Sequence, residues 1–224
     1  MSSQAAAVSL SGRYPQAPAG LAMKAVEAGE RLAALALLAG SAPLVGICAG
    51  AVALLSGRSP FVAHLRVGLD GTPLRVLKLR TMWNGRSGET AEWGLVEQIV
   101  DDAGPRRKSA VDARVSSRFA SFCRKYSLDE LPQLLQVVSG EMALVGPRPI
   151  TARELEEYYG ETTAEVLSVK PGLTGLWQVM GRSSLSYRQR MRLDLFLVRR
   201  WSLGLYCKIL WMTLAAVATG RDSI

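Results

Sequence analysis

Histidine is nearly absent. His64 is the single imidazole in 224 residues, so catalytic triads, His–carboxylate dyads and His-rich metal centres lack members. Cysteine is sparse as well: Cys48, Cys123 and Cys207 stand far apart, in an odd number and with no CxxC pair. That set excludes a disulfide framework and a zinc knuckle and fits a reducing compartment. Glycine and proline, at 21 and 10 residues, are too few for a collagen-like or low-complexity chain. Acidic residues are outnumbered, 19 against 27 basic ones, which leaves a formal net charge of +8. Any chemistry must therefore run on scarce carboxylates in a cationic setting. What is present is apolar: 49% of the residues are hydrophobic, enough to bury one domain, or one domain with an anchor. Arginine supplies 21 of the 27 positive charges. A planar guanidinium favours bidentate contact with phosphate, so the expected partner is anionic: nucleic acid, a phosphorylated small molecule or an anionic membrane face.

From Leu32 to Leu55 the sequence carries 24 residues without a charge, between Arg31 and Arg58. An unbroken helix of that length rises about 36 Å, more than the ~30 Å of a hydrocarbon core. The run begins too late and is too long for a cleaved signal peptide; a buried core helix is the bland alternative. Gly40-Ser41-Ala42-Pro43 lies at its midpoint, and Pro43 must kink or break the helix there. Two forms follow, a kinked helix that crosses completely or a helix-break-helix hairpin that enters and leaves by one face. Basic residues on both flanks place both ends in the cytoplasm and favour the hairpin. Ser41 and Pro43 then mark the break, whose freed backbone groups need partners that lipid does not offer.

The run Leu74 to Arg80, after Gly71 and Pro73, predicts a turn followed by a short strand. Residues 84–110 are mostly loop, with a short helix at Glu92–Val100. Val115, Phe119, Phe122 and Tyr126 recur at helical spacing and predict an amphipathic helix over 114–126. A second helix is expected over Glu130–Val138, closed by Ser139-Gly140, and a third over 151–160. Gly and Pro break 170–182 into a strand and turn. Near the C-terminus, arginines, Trp201, Tyr206 and Trp211 predict helices lying in a headgroup layer, because the uncharged run Ile209–Gly220 is too short to span. A core helix with a snorkelling basic rim is the alternative.

Between Ala103 and Arg153, nine basic residues face only four acids, two of them adjacent: Asp129-Glu130, in Ser127-Leu128-Asp129-Glu130-Leu131-Pro132-Gln133. Ser127 and Glu130 have capping-box spacing, but that register puts Pro132 at the fifth helical position, where its ring meets the Leu128 carbonyl. A helix starting at Asp129 avoids the clash and sets both acids at the positive end of its dipole, which favours their ionised forms. Adjacent acids cannot straddle a glycosidic bond. Division of labour suits them better, one carboxylate attacking and its neighbour binding a metal or moving a proton, as in aspartyl-phosphate chemistry. A carboxylate attacking a phosphate needs cations beside it, and the arginines supply them. Gly146-Pro147-Arg148-Pro149 holds one arginine in a rigid turn, which lowers the entropy lost when it clamps an anion.

Arg66-Val67-Gly68, Lys78 to Met82 (KLRTM), Ser127 to Gln133 (SLDELPQ), Val145 to Pro149 (VGPRP) and Lys170 to Gln178 (KPGLTGLWQ) occur in one order. Together they resemble the bacterial sugar transferases, the monotopic polyprenol-phosphate phosphoglycosyl transferases, over residues 28–220, and the chain looks like a minimal catalytic-core member. The resemblance implies an enzyme that transfers a sugar-1-phosphate from a UDP-sugar to undecaprenyl phosphate and releases UMP. It implies Asp129 as nucleophile and Glu130 as ligand of Mg²⁺. Lys78, Arg80, Arg124, Arg148, Arg182 and Asp194 are then the substrate-binding set. It further implies an α+β, mostly helical fold: a flexible N-terminus over 1–20, a membrane-embedded re-entrant helix-break-helix over 21–58, and a cytoplasmic catalytic domain over 59–224 with amphipathic C-terminal helices. The location would be the bacterial inner membrane, with membrane lipid as a partner, no nucleic acid, and a homodimer allowed. Ala42 stands where the family commonly has serine before the breaking proline, and His64 and Tyr126 also depart from its usual residues. A membrane-tethered basic binding protein and a sugar-nucleotide hydrolase are the rivals: a binder needs no acidic pair, and a hydrolase releases UMP without polyprenol phosphate.

Overall fold

The computed structural model describes residues 21–82, 89–90, 95–99, 117–181 and 184–219. Arg182 and most of the 84–110 segment lie outside them, as do the expected flexible N-terminus and the start of the helix expected at 114. The first element, α1 (Leu21–Ser56), is a 36-residue helix with Pro43 inside it, about 54 Å long at 1.5 Å per residue. The chain does not divide into two helices at the proline. The Ser41 hydroxyl instead donates to the Leu38 carbonyl at 3.3 Å, one turn before it. The helix is long and apolar enough to cross a membrane. It touches the rest of the molecule along one narrow stripe that includes the buried Glu30, Ala34, Cys48 and Val52, while Leu32, Ile47 and Leu54 face outward, 69%, 70% and 88% exposed.

After α1 the chain enters a four-stranded sheet with spatial order β2-β1-β4-β3. β1 (Phe61–Val67) and β2 (Pro73–Leu79) form an antiparallel pair in the register His64↔Val76 and Val62↔Lys78. β3 (Glu89–Thr90) pairs antiparallel with β4 (Val96–Ile99), and β4 runs parallel to β1. The expected helix at Glu92–Val100 is therefore corrected: its described part is a strand. Its apolar period is weak, and pairing with a distant strand outweighed local propensity. The outer edge of β2 is covered by one side chain. Gln136 accepts from the Leu77 N–H at 3.1 Å and donates to the Arg75 carbonyl.

The helix expected from 114 appears as α2 (Arg118–Lys125), started where the Ser117 hydroxyl accepts from the Ala120 N–H. The segment expected as one helix from Glu130 is a 3₁₀ turn (Leu128–Gln133) followed by α3 (Leu134–Ser139), which ends at Gly140 in the left-handed region, φ 83°. Pro132 explains the difference, since a 3₁₀ turn accommodates it before the regular helix begins. The expected third helix is α4 (Ala152–Glu154), opened by a Thr151–Glu154 capping box and continued by a π turn over Leu155–Tyr159. Three short elements follow: α5 (Thr163–Val166), β6 (Gly172–Thr174) and, where a turn was expected, α6 (Leu176–Met180). β6 lies parallel to β5 (Ala143–Val145). Two C-terminal helices close the fold, α7 (Tyr187–Arg199) and α8 (Leu203–Thr219). On α8, Tyr206 and Ile209 are buried while Leu203, Trp211 and Leu214 stay largely exposed.

The main core joins α1 to the sheet: Ala34 packs with Leu74, Val76, Leu134, Val137 and Met142. Its two ends are also fixed to the globular body. Near the N-terminal end, buried Glu30 accepts from the Leu144 N–H at 2.9 Å and from the Tyr206 hydroxyl at 2.8 Å, and Glu27 pairs with Lys170. Toward the other end, Cys48 packs on Leu79 and Cys123.

Candidate active site

Three separate sequence motifs meet because of strand pairing and one close backbone approach. β5 delivers Gly146-Pro147-Arg148-Pro149 and β6 carries Gly172. They register as Ala143↔Gly172 and Val145↔Thr174, and the Gly172 N–H donates to the Pro147 carbonyl at 2.8 Å. A Cβ on Gly172 would sit 2.0 Å from the Gly146 nitrogen, so glycine is required for this contact. The result points Arg148 into a hollow lined by His64 and Arg66 of β1, Val76 and Lys78 of β2, Glu130 and Gln133 of the 3₁₀ turn, and Gln178 of α6.

The acidic pair enters through a backbone irregularity. Ser127 has φ 54° and ψ 25°, and its hydroxyl caps nothing. A non-glycine residue in the left-handed region is uncommon, and here it turns the chain sharply between α2 and the acids. The capping box is thus absent, as Pro132 predicted. Lys78 Nζ lies 2.7 Å from Glu130 Oε1.

Asp129 is half-buried. Burial, reinforced by the neighbouring Glu130 charge, pushes its carboxyl up from an ordinary 3.8 to about 6, against the pull of Lys78 and Arg124. That corrects the expectation that a helix dipole would favour ionisation: lost solvation dominates, and a short 3₁₀ turn has little dipole to offer. Beneath Asp129, burial, the Cys48 thiol beside it and the Asp129 charge push the Cys123 thiol up to about 12. Both thiols are buried, and at such a value the Cys123 thiol is unreactive. The contact places α1 directly under the acidic pair.

Arg148 also lines a second hollow, with Glu154, Tyr159, Trp177, Tyr187, Arg190 and Asp194. The Arg148 and Arg190 guanidiniums lie 5.6 and 4.8 Å from the Trp177 ring centre. Arg190 Nε is buried without a hydrogen-bond partner among the described residues. Asp194, 1% exposed, accepts from the Tyr159 hydroxyl at 3.0 Å, and its Oδ1 is buried without a hydrogen-bond partner among the described residues. Burial raises its carboxyl to about 7 despite that one donor.

The structure thus gathers Lys78, Glu130 and Arg148 around one hollow, with Arg124 close enough to Asp129 to lower its pKa. It sets Asp194 behind Arg148. Arg80 lies apart from both hollows. It is 3% exposed, donates to the Ser59 carbonyl and pairs with buried Glu97, which ties the end of β2 to β4. His64, Arg66, Gln133, Gln178, Trp177 and Arg190 line the hollows without having been singled out as ligands. The RVG and KPGLTGLWQ motifs contain or adjoin most of them. Arg190 had no signal beyond being one of several arginines on α7.

Among the described residues no cluster of three His, Cys, Asp or Glu side chains could hold a metal by itself. Mg²⁺ that completes its shell with substrate phosphates needs only one or two carboxylates. Glu130 is the acid that lines the first hollow, with Asp129 next to it, so the residues fit that kind of site.

The family pattern of the bacterial sugar transferases matches residues 23–220. Among curated proteins the chain is 41% identical over 194 residues to the exopolysaccharide production protein ExoY of Sinorhizobium fredii, covering 86% of this chain and 84% of that one. It is 42% identical over 163 residues to the UDP-galactose-lipid carrier transferase of Erwinia amylovora, covering 70% of this chain but 33% of the relative's length. It is 36% identical over 196 residues to the UDP-glucose:undecaprenyl-phosphate glucose-1-phosphate transferase of Caulobacter vibrioides, covering 84% of this chain and 67% of that one.

Proposed function

Because the chain belongs to the bacterial sugar transferase family, we propose that it is a phosphoglycosyl transferase that moves a sugar-1-phosphate from a UDP-sugar to undecaprenyl phosphate, releasing UMP, as the first membrane step of surface glycan assembly. One observation carries the assignment of roles. Asp129, a carboxylate with a raised pKa, stands beside Glu130 and within reach of Lys78 and Arg124, at the edge of a hollow that Arg148 also lines.

In the first step an ionised Asp129 oxygen attacks the phosphorus that bears the sugar. An Asp–O–P bond forms, the bond to the bridging diphosphate oxygen breaks, and UMP leaves with that oxygen. In the second, a phosphate oxygen of undecaprenyl phosphate attacks the same phosphorus and restores the carboxylate. Lys78, Arg124 and Arg148 offset the repulsion between carboxylate and phosphate and stabilise charge on the oxygens. Glu130 would hold Mg²⁺, exchanging part of its contact with Lys78; bound there, the ion would neutralise the diphosphate.

The division proposed is a membrane-embedded segment over 21–58 and a catalytic domain over 59–224 at the cytoplasmic face of the inner membrane. The attachments of α1 support entry and exit by one face. Glu30 near one end and Cys48 toward the other both contact the same globular body, so both ends stay on that body's side. The exposed apolar flank of α1 would then meet lipid acyl chains, and the outward Trp211, Leu203 and Leu214 of α8 the headgroup layer.

The test is UMP release by the purified chain in lipid nanodiscs, with UDP-galactose and UDP-glucose tried first. Release that requires undecaprenyl phosphate, and radiolabelled sugar phosphate trapped on the protein but absent from Asp129→Asn, supports the proposal. Near wild-type turnover by Asp129→Asn refutes the nucleophile. Release that ignores the polyprenol phosphate makes the protein a hydrolase instead, and activity that survives exhaustive chelation removes the metal.

A further inference from the structure

The second hollow takes no part in the chemistry proposed above beyond sharing Arg148. Tyr187, Arg190 and Asp194, three and four residues apart, stand on one face of α7, and together with Trp177 of α6 and Tyr159 of the π turn they line it. Three polar atoms of this lining are buried without a hydrogen-bond partner among the described residues: Trp177 Nε1, Arg190 Nε and Asp194 Oδ1. Their side chains are held in place. Asp194 Oδ2 accepts from the Tyr159 hydroxyl at 3.0 Å, and the Arg190 guanidinium lies 4.8 Å from the Trp177 ring centre and 5.3 Å from that of Tyr187. Buried polar groups are normally paired, and an unpaired one is costly, so three on one small hollow point to a ligand.

Their chemistry describes it. Two are N–H donors and the third is a carboxyl oxygen, the complement of a hydroxyl, which accepts from donors and gives one proton in return. The hollow holds about 30 Å³, room for one or two water-sized groups and none for a whole ring. Charge separates it from the first hollow. There Arg66, Lys78 and Arg148 face one acid, Glu130, which suits a phosphate; here Glu154 and Asp194 answer Arg148 and Arg190, which suits a neutral group.

We infer that the second hollow binds a hydroxyl of the UDP-sugar, seated among Trp177 Nε1, Arg190 Nε and Asp194 Oδ1, while Arg148 holds the adjoining diphosphate. The inference rests on the proposed function in taking a UDP-sugar as substrate. Undecaprenyl phosphate has no alcohol group, so the hydroxyl belongs to one of the two rings flanking the diphosphate, the glycosyl ring or the ribose.

The experiment measures KM, kcat and the thermal midpoint of the full chain in nanodiscs for wild type, Trp177→Phe, Arg190→Lys and Asp194→Asn. The substrates are the UDP-sugar that the wild type accepts and its singly deoxygenated analogues, on the glycosyl ring and on the ribose. Trp177→Phe keeps an aromatic face and loses only the N–H, and Asp194→Asn keeps the shape. Expected is a KM raised at least about tenfold by each on the parent substrate. One deoxy analogue should cost the wild type a similar factor and cost the variants nothing further. Coupling to a glycosyl position makes the hollow a sugar-selecting site, and coupling to a ribose position makes it a nucleoside site. A penalty equal on every analogue, or an unchanged KM in all three variants, means that the hollow serves structure or holds water only, and overturns the inference. If Trp177→Phe or Asp194→Asn does not fold, Arg190→Lys, on a part-exposed side chain, carries the test. Uniform penalties in a chain that still transfers sugar phosphate through Asp129 sink this inference alone; a wild type that turns over no UDP-sugar sinks the proposed function with it.

Discussion

Replacing Asp129 with asparagine should stabilise the protein while abolishing transfer. The folded carboxyl has its pKa raised from 3.8 to about 6, so the folded state binds its proton more tightly than the unfolded chain does. Well below pH 3.8 both states are protonated and the side chain costs nothing. As pH rises through 6 the folded state must hold a poorly solvated anion, and the cost grows to about two pKa units, or about 3 kcal/mol. Asparagine has the same shape and no charge to desolvate. The variant should therefore exceed wild type by about 3 kcal/mol at pH 7.5 and by only about 1 kcal/mol at pH 4.5. For a chain of this size that corresponds to roughly 6–12 °C in thermal midpoint at the higher pH. Thermal unfolding of both proteins in the same nanodiscs at the two pH values measures it. A gap that is absent, or that does not shrink on acidification, would show that Asp129 is not a desolvated carboxylate and would remove the physical basis for its activation.

The same shift sets the pH profile of catalysis: kcat/KM should fall as pH drops through about 6, and a profile flat down to pH 4.5 contradicts this. Lys78→Met removes a charge that lowers the Asp129 pKa, so the acid limb of whatever activity remains should move above about 6, measured on the same profile. Arg80→Ala removes a buried ion-pair partner of Glu97 and should cost about 3–5 kcal/mol of stability; loss of substrate affinity with an unchanged thermal midpoint would instead make Arg80 a ligand. Tyr206→Phe removes one donor from buried Glu30 and should cost about 1–3 kcal/mol, read as a lower thermal midpoint with KM intact.

The order of motifs along the chain was enough to anticipate the acidic pair, Lys78, Arg148 and their clustering, because the reaction demands charged groups at positions that fixed turns and strands can hold. The amphipathic α2 and strand β2 were equally visible, each having a local period and a clear boundary. What local sequence could not show was decided by distant partners. Val96–Ile99 became a strand because β1 was there to pair with it. Arg80 looked like Lys78's companion, two residues along one strand, until Glu97 appeared across the sheet. Asp129 was expected to ionise easily on the strength of a helix end, whereas its solvation is set by α1, α2 and Glu130, elements brought together only by folding. Asp194 shows the same limit, since nothing in Leu193-Asp194 says that the carboxylate is buried against Tyr159 beside the hollow that Arg148 also lines.

Gln136 has a consequence for assembly. Its amide imitates one residue of a neighbouring strand, supplying an oxygen where the β2 rim offers a donor and a nitrogen where it offers a carbonyl. That rim is one of the two edges of the four-stranded sheet, β3 being the other, and at Arg75 and Leu77 a side chain fixed by its own helix already takes the place of a partner strand. A strand from a second copy could pair along this stretch of β2 only by first displacing the Gln136 amide.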